Sequence, residues 1–287
     1  MGVTQLHNCN IVYIVYVFLP PDAVPSAVTQ LSSCLADVAA WLSASRLRLS
    51  PSKTVVIWLG SKYQVDRVGV HAVPVLTSTV PIVDSARALG VVLDSHLTMS
   101  AHVGSVCRSA YYQLRQLRPV MRSLSLDAAK MLAQAFISSR LDYCNSTLYG
   151  ITDSLFRRLQ AVQNATARLI TGVQRKDHIT PILQQLHWLP VRERVIFKHA
   201  LLVFKALHGL LPPYLADDCQ LLADTGRRQL RSSDVATCFV LRTHSSLGDR
   251  CFAVAGPRTW NSLPIKLRQL DLSLEQFRRL LKTHLFS

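Results

Sequence analysis

Ile11 to Phe18 is an unbroken β-branched and aromatic run, closed by Pro20 and Pro21. A run of that length and make-up predicts one strand. From Val24 the period changes: Val24, Val28, Leu31, Leu35, Val38 and Leu42 recur at helical spacing and predict an amphipathic helix to about Ser45. Pro51 interrupts the chain, and Thr54 to Leu59, ending at Gly60, predicts a second strand. A further extended stretch runs from Val80 to Leu93 and ends at Asp94. The first third is therefore mixed α/β.

From Ser100 the pattern is helical. Val103, Val106, Ala110, Leu114 and Leu117 fall within about 80° on a wheel of about 100° per residue. Arg108, Arg115 and Arg118 cluster on another side, and Arg122 joins them if the helix continues past Pro119. A second helix is predicted from Ser125 to about Leu141. A third follows Asp153, with Leu155, Leu159, Val162 and Leu169 inward and Arg157 and Arg168 roughly opposite. Beyond Gly172, Trp188-Leu189-Pro190 precedes a long apolar helix through Phe197, Leu201, Phe204 and Leu207. Residues 226–260 read as irregular to extended. A last helix, about Ser273 to Leu285, carries Leu274, Phe277, Leu281 and Leu285 on its apolar side. No internal repeat or low-complexity tract breaks this order.

Hydrophobic residues make up 49% of the 287 and charged residues 17%, which excludes a generally disordered chain. The net charge of +15 changes the picture more, because it points to a polyanionic partner, with nucleic acid foremost. Its placement is uneven. Residues 1–98 hold 6 Lys/Arg against 5 Asp/Glu, residues 99–209 hold 15 against 5, and residues 210–287 hold 11 against 7. Arginine outnumbers lysine 24 to 8, which suits bidentate phosphate contact. An arginine stripe opposite an apolar stripe serves either a phosphate backbone or plain solvation, and several such helices in succession favour binding.

The seven cysteines, Cys9, Cys34, Cys107, Cys144, Cys219, Cys238 and Cys251, never form a close pair, as expected of reduced thiols in an intracellular protein. Cys219, Cys238, His244 and Cys251 lack the two-ligand turn of a zinc site. The apolar segment Asn10 to Pro20 is too short for a bilayer, and no Lys or Arg occurs before Arg46, so neither a membrane span nor a charged leader is expected. His178 and His187 flank a short apolar segment and read as structural. Trp188 and Trp260 could stack on bases, but anchoring a core beside Pro190 and Pro264 suits them better.

Five stretches, in order, resemble the C-terminal half of reverse transcriptases from LINE-type (non-LTR, jockey-like) retrotransposons. They are Leu47-Arg48-Leu49-Ser50-Pro51-Ser52-Lys53-Thr54; Ala88-Leu89-Gly90-Val91-Val92-Leu93-Asp94; Arg140-Leu141-Asp142-Tyr143-Cys144-Asn145; His187-Trp188-Leu189-Pro190-Val191; and Ala255 through Pro264. The resemblance implies an α+β, mostly α chain. It divides into a partial palm over 1–98, a helical basic thumb-like region over 99–175 and a C-terminal LINE-type module over 176–287. Lys53 would lie near the leaving pyrophosphate, and the Leu89 to Asp94 turn would grip the primer end. The arginine-striped helices would follow the template–primer duplex by its phosphates and A-form shape, placing Arg108, Arg115, Arg118, Arg157 and Arg168 in contact with RNA or an RNA–DNA duplex.

In that family a Tyr-Ala-Asp-Asp box holds two Mg²⁺ ions shortly before a Pro-Pro-Asp segment. Counting back from Tyr16, its place here is Cys9-Asn10-Ile11-Val12, which offers no carboxylate. Tyr214-Leu215-Ala216-Asp217-Asp218 imitates the box but carries an inserted leucine and stands far beyond the thumb, so a short acidic helix or turn is expected there. The expectation is a polymerase relative without catalytic residues and without a resident cofactor, Mg²⁺ belonging only to the intact family enzyme. It would bind RNA or RNA–DNA weakly and without sequence preference. Two alternatives stand beside it: an interaction or structural relic with no nucleic-acid role, and part of an active reverse transcriptase completed by an upstream half.

Overall fold

A computed structural model describes residues 2–8, 11–17, 23–225 and 236–286. The chain is mostly helical, 60%, with a few short antiparallel strands, which makes it α+β with α dominant. It divides into two compact units, Met1–Ser105 and Val106–Ser287.

In the first unit β1 (Gly2–Asn8) and β2 (Ile11–Val17) form an antiparallel pair. The helix α1 (Val24–Ala44) follows, beginning at Val24-Pro25, where proline's fixed φ suits a first turn. A 3-10 turn, Pro51–Lys53, leads to β3 (Val55–Trp58), which pairs with β1 to give the sheet order β2-β1-β3. The short α2 (Lys62–Val65) opens with a capping box between Ser61 and Gln64. Two hairpins complete the unit: β4 (Ala72–Val75) with β5 (Ser78–Pro81), and β6 (Ser85–Ala88) with β7 (Val91–Asp94). Leu35, Leu42 and Leu49 meet Val56, Val73, Val75 and Val80 in the core between α1 and these strands.

The helix α3 (Ser100–Met121) begins in the first unit and continues in the second. Three pieces then follow end to end: α4 (Leu126–Ala133), a π-helical turn Gln134–Ser138, and α5 (Ser139–Asp142). The wider π turn turns two successive residues inward, Ile137 and Ser138, both buried. Then come α6 (Asp153–Thr171), ending at the left-handed Gly172, α7 (Thr180–Gln185) and α8 (Val191–Leu207). The shorter α9 (Pro213–Ala216) and α10 (Ser246–Asp249) precede α11 (Phe252–Ser262) and α12 (Leu274–Phe286).

The largest core surrounds α8. Ala200, Val203 and Phe204 meet Trp260, Leu263, Leu267, Phe277 and Leu281, with Cys219 and Cys238 filling the margin. Phe204 stacks on Phe277 at 4.3 Å between ring centroids, and Trp260 stands 5.8 Å from Phe277, tilted. Trp260 is fully buried and donates its indole N–H to the Ala236 carbonyl at 2.8 Å. The expected core role of Trp260 is thus met, and Trp188 packs half-buried with Ala167, Leu183 and Leu186.

Three expectations need correcting. The stretch 226–260 is not irregular throughout: α11 begins at Phe252 despite Gly256 and Pro257. Gly256 suits that place because a Cβ would crowd Phe252 at 3.0 Å and Val203 Cγ2 of α8 at 3.1 Å, so α11 lies close against α8 there. Residues 226–235, like Cys9, Asn10 and Pro20 to Asp22, lie outside the described residues. Val80 to Leu93 is not one extended stretch but the end of one hairpin and most of another. The strand β1 was not predicted at all. Pro119, by contrast, leaves α3 intact to Met121: it sits in the last turn, where its missing N–H leaves the Arg115 carbonyl without a helical partner.

Phe277→Ala is expected to destabilise the second unit by about 3–5 kcal/mol through the cavity left beside Phe204 and Trp260. Phe277→Leu should lose less than about 1.5 kcal/mol. Denaturant midpoints of the two variants against the parent check this, and equal midpoints for the two would show that the lost ring contacts, not the cavity, set the cost.

Candidate nucleic-acid interface

No Asp or Glu occurs between Ser95 and Leu126, so α3 carries positive charge without internal compensation. Its inward positions Cys107, Ala110, Leu114, Leu117 and Met121 are buried. Arg108, Arg115, Arg118 and, just past the helix end, Arg122 are all exposed. None of the four forms an ion pair or hydrogen bond with the described residues. Tyr111 and Tyr112 lie in the same sector, 41% and 54% exposed. The sequence reading passed over these two tyrosines, although their place three and four residues after Arg108 was visible.

The other predicted contacts are placed differently. Arg157 on α6 is exposed, its Nε 3.4 Å from the Asp153 carbonyl. Arg158, one position on, bears electrostatically on Cys107 of α3, whose thiol is nevertheless pushed up by burial. Arg168 does not lie open to a ligand in the same way. Its guanidinium donates to the Asp177 carbonyl at 3.3 Å, and its Nε is enclosed without a partner, so it braces the turn after α6. Lys53 ends the Pro51–Lys53 turn in the first unit, exposed. The structure therefore gathers Arg108, Arg115 and Arg118 on one face and gives Arg168 a structural task.

Most side chains in the five motifs hold the chain together. Thr54 donates to the Ser50 carbonyl at 3.0 Å, closing the turn that presents Lys53. In the second motif Leu89 and Gly90 both have positive φ, as a two-residue hairpin turn of mirror-image type requires, so β6 and β7 reverse without a bulge. Asp94 accepts the backbone N–H groups of Thr98 and Met99, each at 2.8 Å, and so caps the approach to α3. The Val92 N–H donates to His102 Nδ1 at 3.3 Å. Burial first, then the nearby Arg87 charge, lowers the His102 pKa and keeps that acceptor neutral.

The third motif is a clamp onto α8. Asp142 pairs with Arg194, and Asn145 donates toward Asp142 at 3.5 Å. Desolvation raises the Asp142 pKa and outweighs the opposing pull of Arg194, so the pair specifies a geometry more than it adds stability. His199 of α8 bonds the Ser146 carbonyl through Nε2 at 2.9 Å, with Tyr149 against its ring. Gly150 turns the chain at φ 69° directly under Arg250, whose Nε donates to the Tyr149 carbonyl at 3.1 Å. At the fourth motif Gln160 and Gln163 of α6 meet the start of α8: Gln160 Oε1 accepts from the Val191 N–H, and Gln163 donates to the Leu189 carbonyl, both at 2.9 Å. In the fifth, Asn261 pairs with the Cys238 backbone as a strand would, accepting from its N–H and donating to its carbonyl at 2.8 Å each.

Tyr214 to Asp218 forms the short α9 and a turn, with Tyr214 exposed, as expected for an imitation of the catalytic box. Cys219 and Cys238 are buried with thiols pushed up to about 12, first by desolvation, while Cys251 and His244 are exposed. Among the described residues no group of three or more His, Cys, Asp or Glu is placed to hold a metal ion. None of their helices is long and apolar enough to cross a membrane. Comparison with family models, curated proteins and solved structures returned no match.

Burial holds His199 below its ordinary pKa of 6.5, so the unfolded chain takes up the proton first. Stability is fully present above that value and is lost as pH falls from it toward the depressed one. Thermal melts from about pH 7.5 down to about pH 5.5 should show a falling midpoint that His199→Gln flattens. Separately, Asp142→Ala leaves Arg194 half-buried and unpaired and should destabilise by about 1–3 kcal/mol in denaturant unfolding.

Proposed function

We propose that this chain is a LINE-type reverse-transcriptase relative that binds RNA or an RNA–DNA duplex through phosphates, weakly and without sequence preference, and does not itself join nucleotides. In this reading residues 1–98 are palm-like, 99–175 thumb-like and 176–287 the tail module of that family. The observation that carries the binding part is the α3 face, with four exposed and unpaired arginines on a segment free of acids. Paired guanidinium groups would have to exchange one partner for another, whereas these are free to displace counterions from a polyanion. The motifs support the family part by their order, and the helical basic middle falls where the thumb would. The place of the catalytic box is held by Cys9-Asn10-Ile11-Val12, none of which supplies the oxygen ligands that paired Mg²⁺ ions need.

The rival reading, an interaction module, draws on the apolar residues exposed in the second unit. Met131, Tyr143, Leu126 and Phe136 are each at least 40% exposed on the α4–α5 stretch and its end. A monodisperse monomer in size-exclusion chromatography removes that support, and a defined oligomer strengthens it.

Filter binding to a labelled RNA–DNA duplex should lose about a hundredfold in affinity between roughly 50 and 200 mM salt if about four phosphates are engaged. The double variant Arg115→Gln, Arg118→Gln should flatten the log–log salt slope by about two. An affinity indifferent to salt would sink the binding claim. Primer extension with Mg²⁺ should give no product, and template-dependent synthesis by the purified chain would overturn the non-catalytic claim.

A further inference from the structure

The α3 face carries more than charge. On a wheel of about 100° per residue, Arg108, Tyr111, Tyr112, Arg115, Arg118 and Arg122 all fall within about 120°, beside the sector that holds the buried Cys107, Ala110, Leu114 and Leu117. Along the axis they extend about 21 Å. Cys107, Ala110, Leu114 and Leu117 fill the inward side of the helix, while about half of each tyrosine remains open, 41% of Tyr111 and 54% of Tyr112. Neither phenol hydroxyl bonds any described residue. Two partly exposed aromatic rings, interleaved with unpaired guanidinium groups and with no carboxylate among them, are chemically specific.

A continuous duplex keeps its bases stacked inside and offers this face only phosphates and groove edges, for which arginines suffice. A single strand presents bases whose π faces can lie on aromatic rings while its phosphates run along the basic stripe. An acidic peptide or an anionic membrane would satisfy the arginines but leave the paired rings without flat partners. We propose that the Arg108–Arg122 face of α3 binds single-stranded nucleic acid, Tyr111 and Tyr112 stacking on unpaired bases while Arg108, Arg115, Arg118 and Arg122 hold the phosphates. This rests on the nucleic-acid reading above and narrows its ligand.

The test is fluorescence anisotropy of the full chain with three probes: a single-stranded RNA of about 12 nucleotides, the RNA–DNA duplex of the same sequence, and phosphatidylserine vesicles. The single strand should bind at least about tenfold more tightly than the duplex. The double variant Tyr111→Ala, Tyr112→Ala should lose about 10- to 100-fold on the single strand, with its salt slope and its duplex affinity unchanged. The double variant Tyr111→Phe, Tyr112→Phe should retain binding, because the ring and not the hydroxyl is used. Circular dichroism confirms that the variants fold. An alanine variant that binds the single strand as well as the parent, or that loses equally on the duplex, overturns stacking while leaving the phosphate reading intact. Failure of both oligonucleotides, with or without binding to vesicles, overturns both readings.

Discussion

The aromatic contact at the centre of α8 organises the second unit. Phe204 lies against Phe277 of α12, and Trp260 of α11 closes the third side, so three helices distant in sequence share one apolar joint. Burial of rings of this size is among the largest favourable contributions a helical core can make. The other contacts of α8 sort around that joint: Asp142 and the Ser146 carbonyl reach its first half, and the α6 glutamines satisfy its opening amide.

The second unit has many guanidinium groups, and most of those near α8 are committed. Arg194 pairs with Asp142, Arg192 with Asp153 while lying over the Phe156 ring, and Arg258 with Asp249. Arg140 reaches Ser109 Oγ and the Phe136 carbonyl, and Arg168 reaches Asp177. Those on α3 have no such partner among the described residues: their own segment lacks acids, and the fold brings none to them from elsewhere. Net charge alone would spread the positive potential over the whole chain. Arg158 on α6 and Arg278 and Arg279 on α12 are also exposed and unpaired among the described residues, but α3 gathers four such groups on and just past one helix in a stretch without acids, which makes its face the place to look for a polyanion.

The motif residues show how a family-like signature can arise from structure as well as chemistry. Asp94 caps, Asp142 clamps, Asn261 substitutes for a strand, and Trp260 fills a core. Each needs its particular residue type for a physical reason unrelated to catalysis.

Local pattern alone determined much of this protein. The periodicity of α1, α3, α6, α8 and α12, the β-branched run of β2, and the concentration of arginine in the middle are all properties of neighbouring residues. The Leu89-Gly90 reversal was not among them, since the pattern from Val80 to Leu93 reads as one extended stretch. Tertiary structure decided the rest. It made a helix of Phe252 to Ser262 across Gly256 and Pro257, because close packing on α8 and burial of Trp260 offset the poor local propensity. It added β1, which takes its meaning from two flanking strands, one of them β3, some fifty residues away. It also turned Arg168 inward while leaving Arg115 and Arg118 open. A guanidinium's role depends on which carbonyl or carboxylate folding brings near it, and that is a non-local fact no spacing along the chain contains.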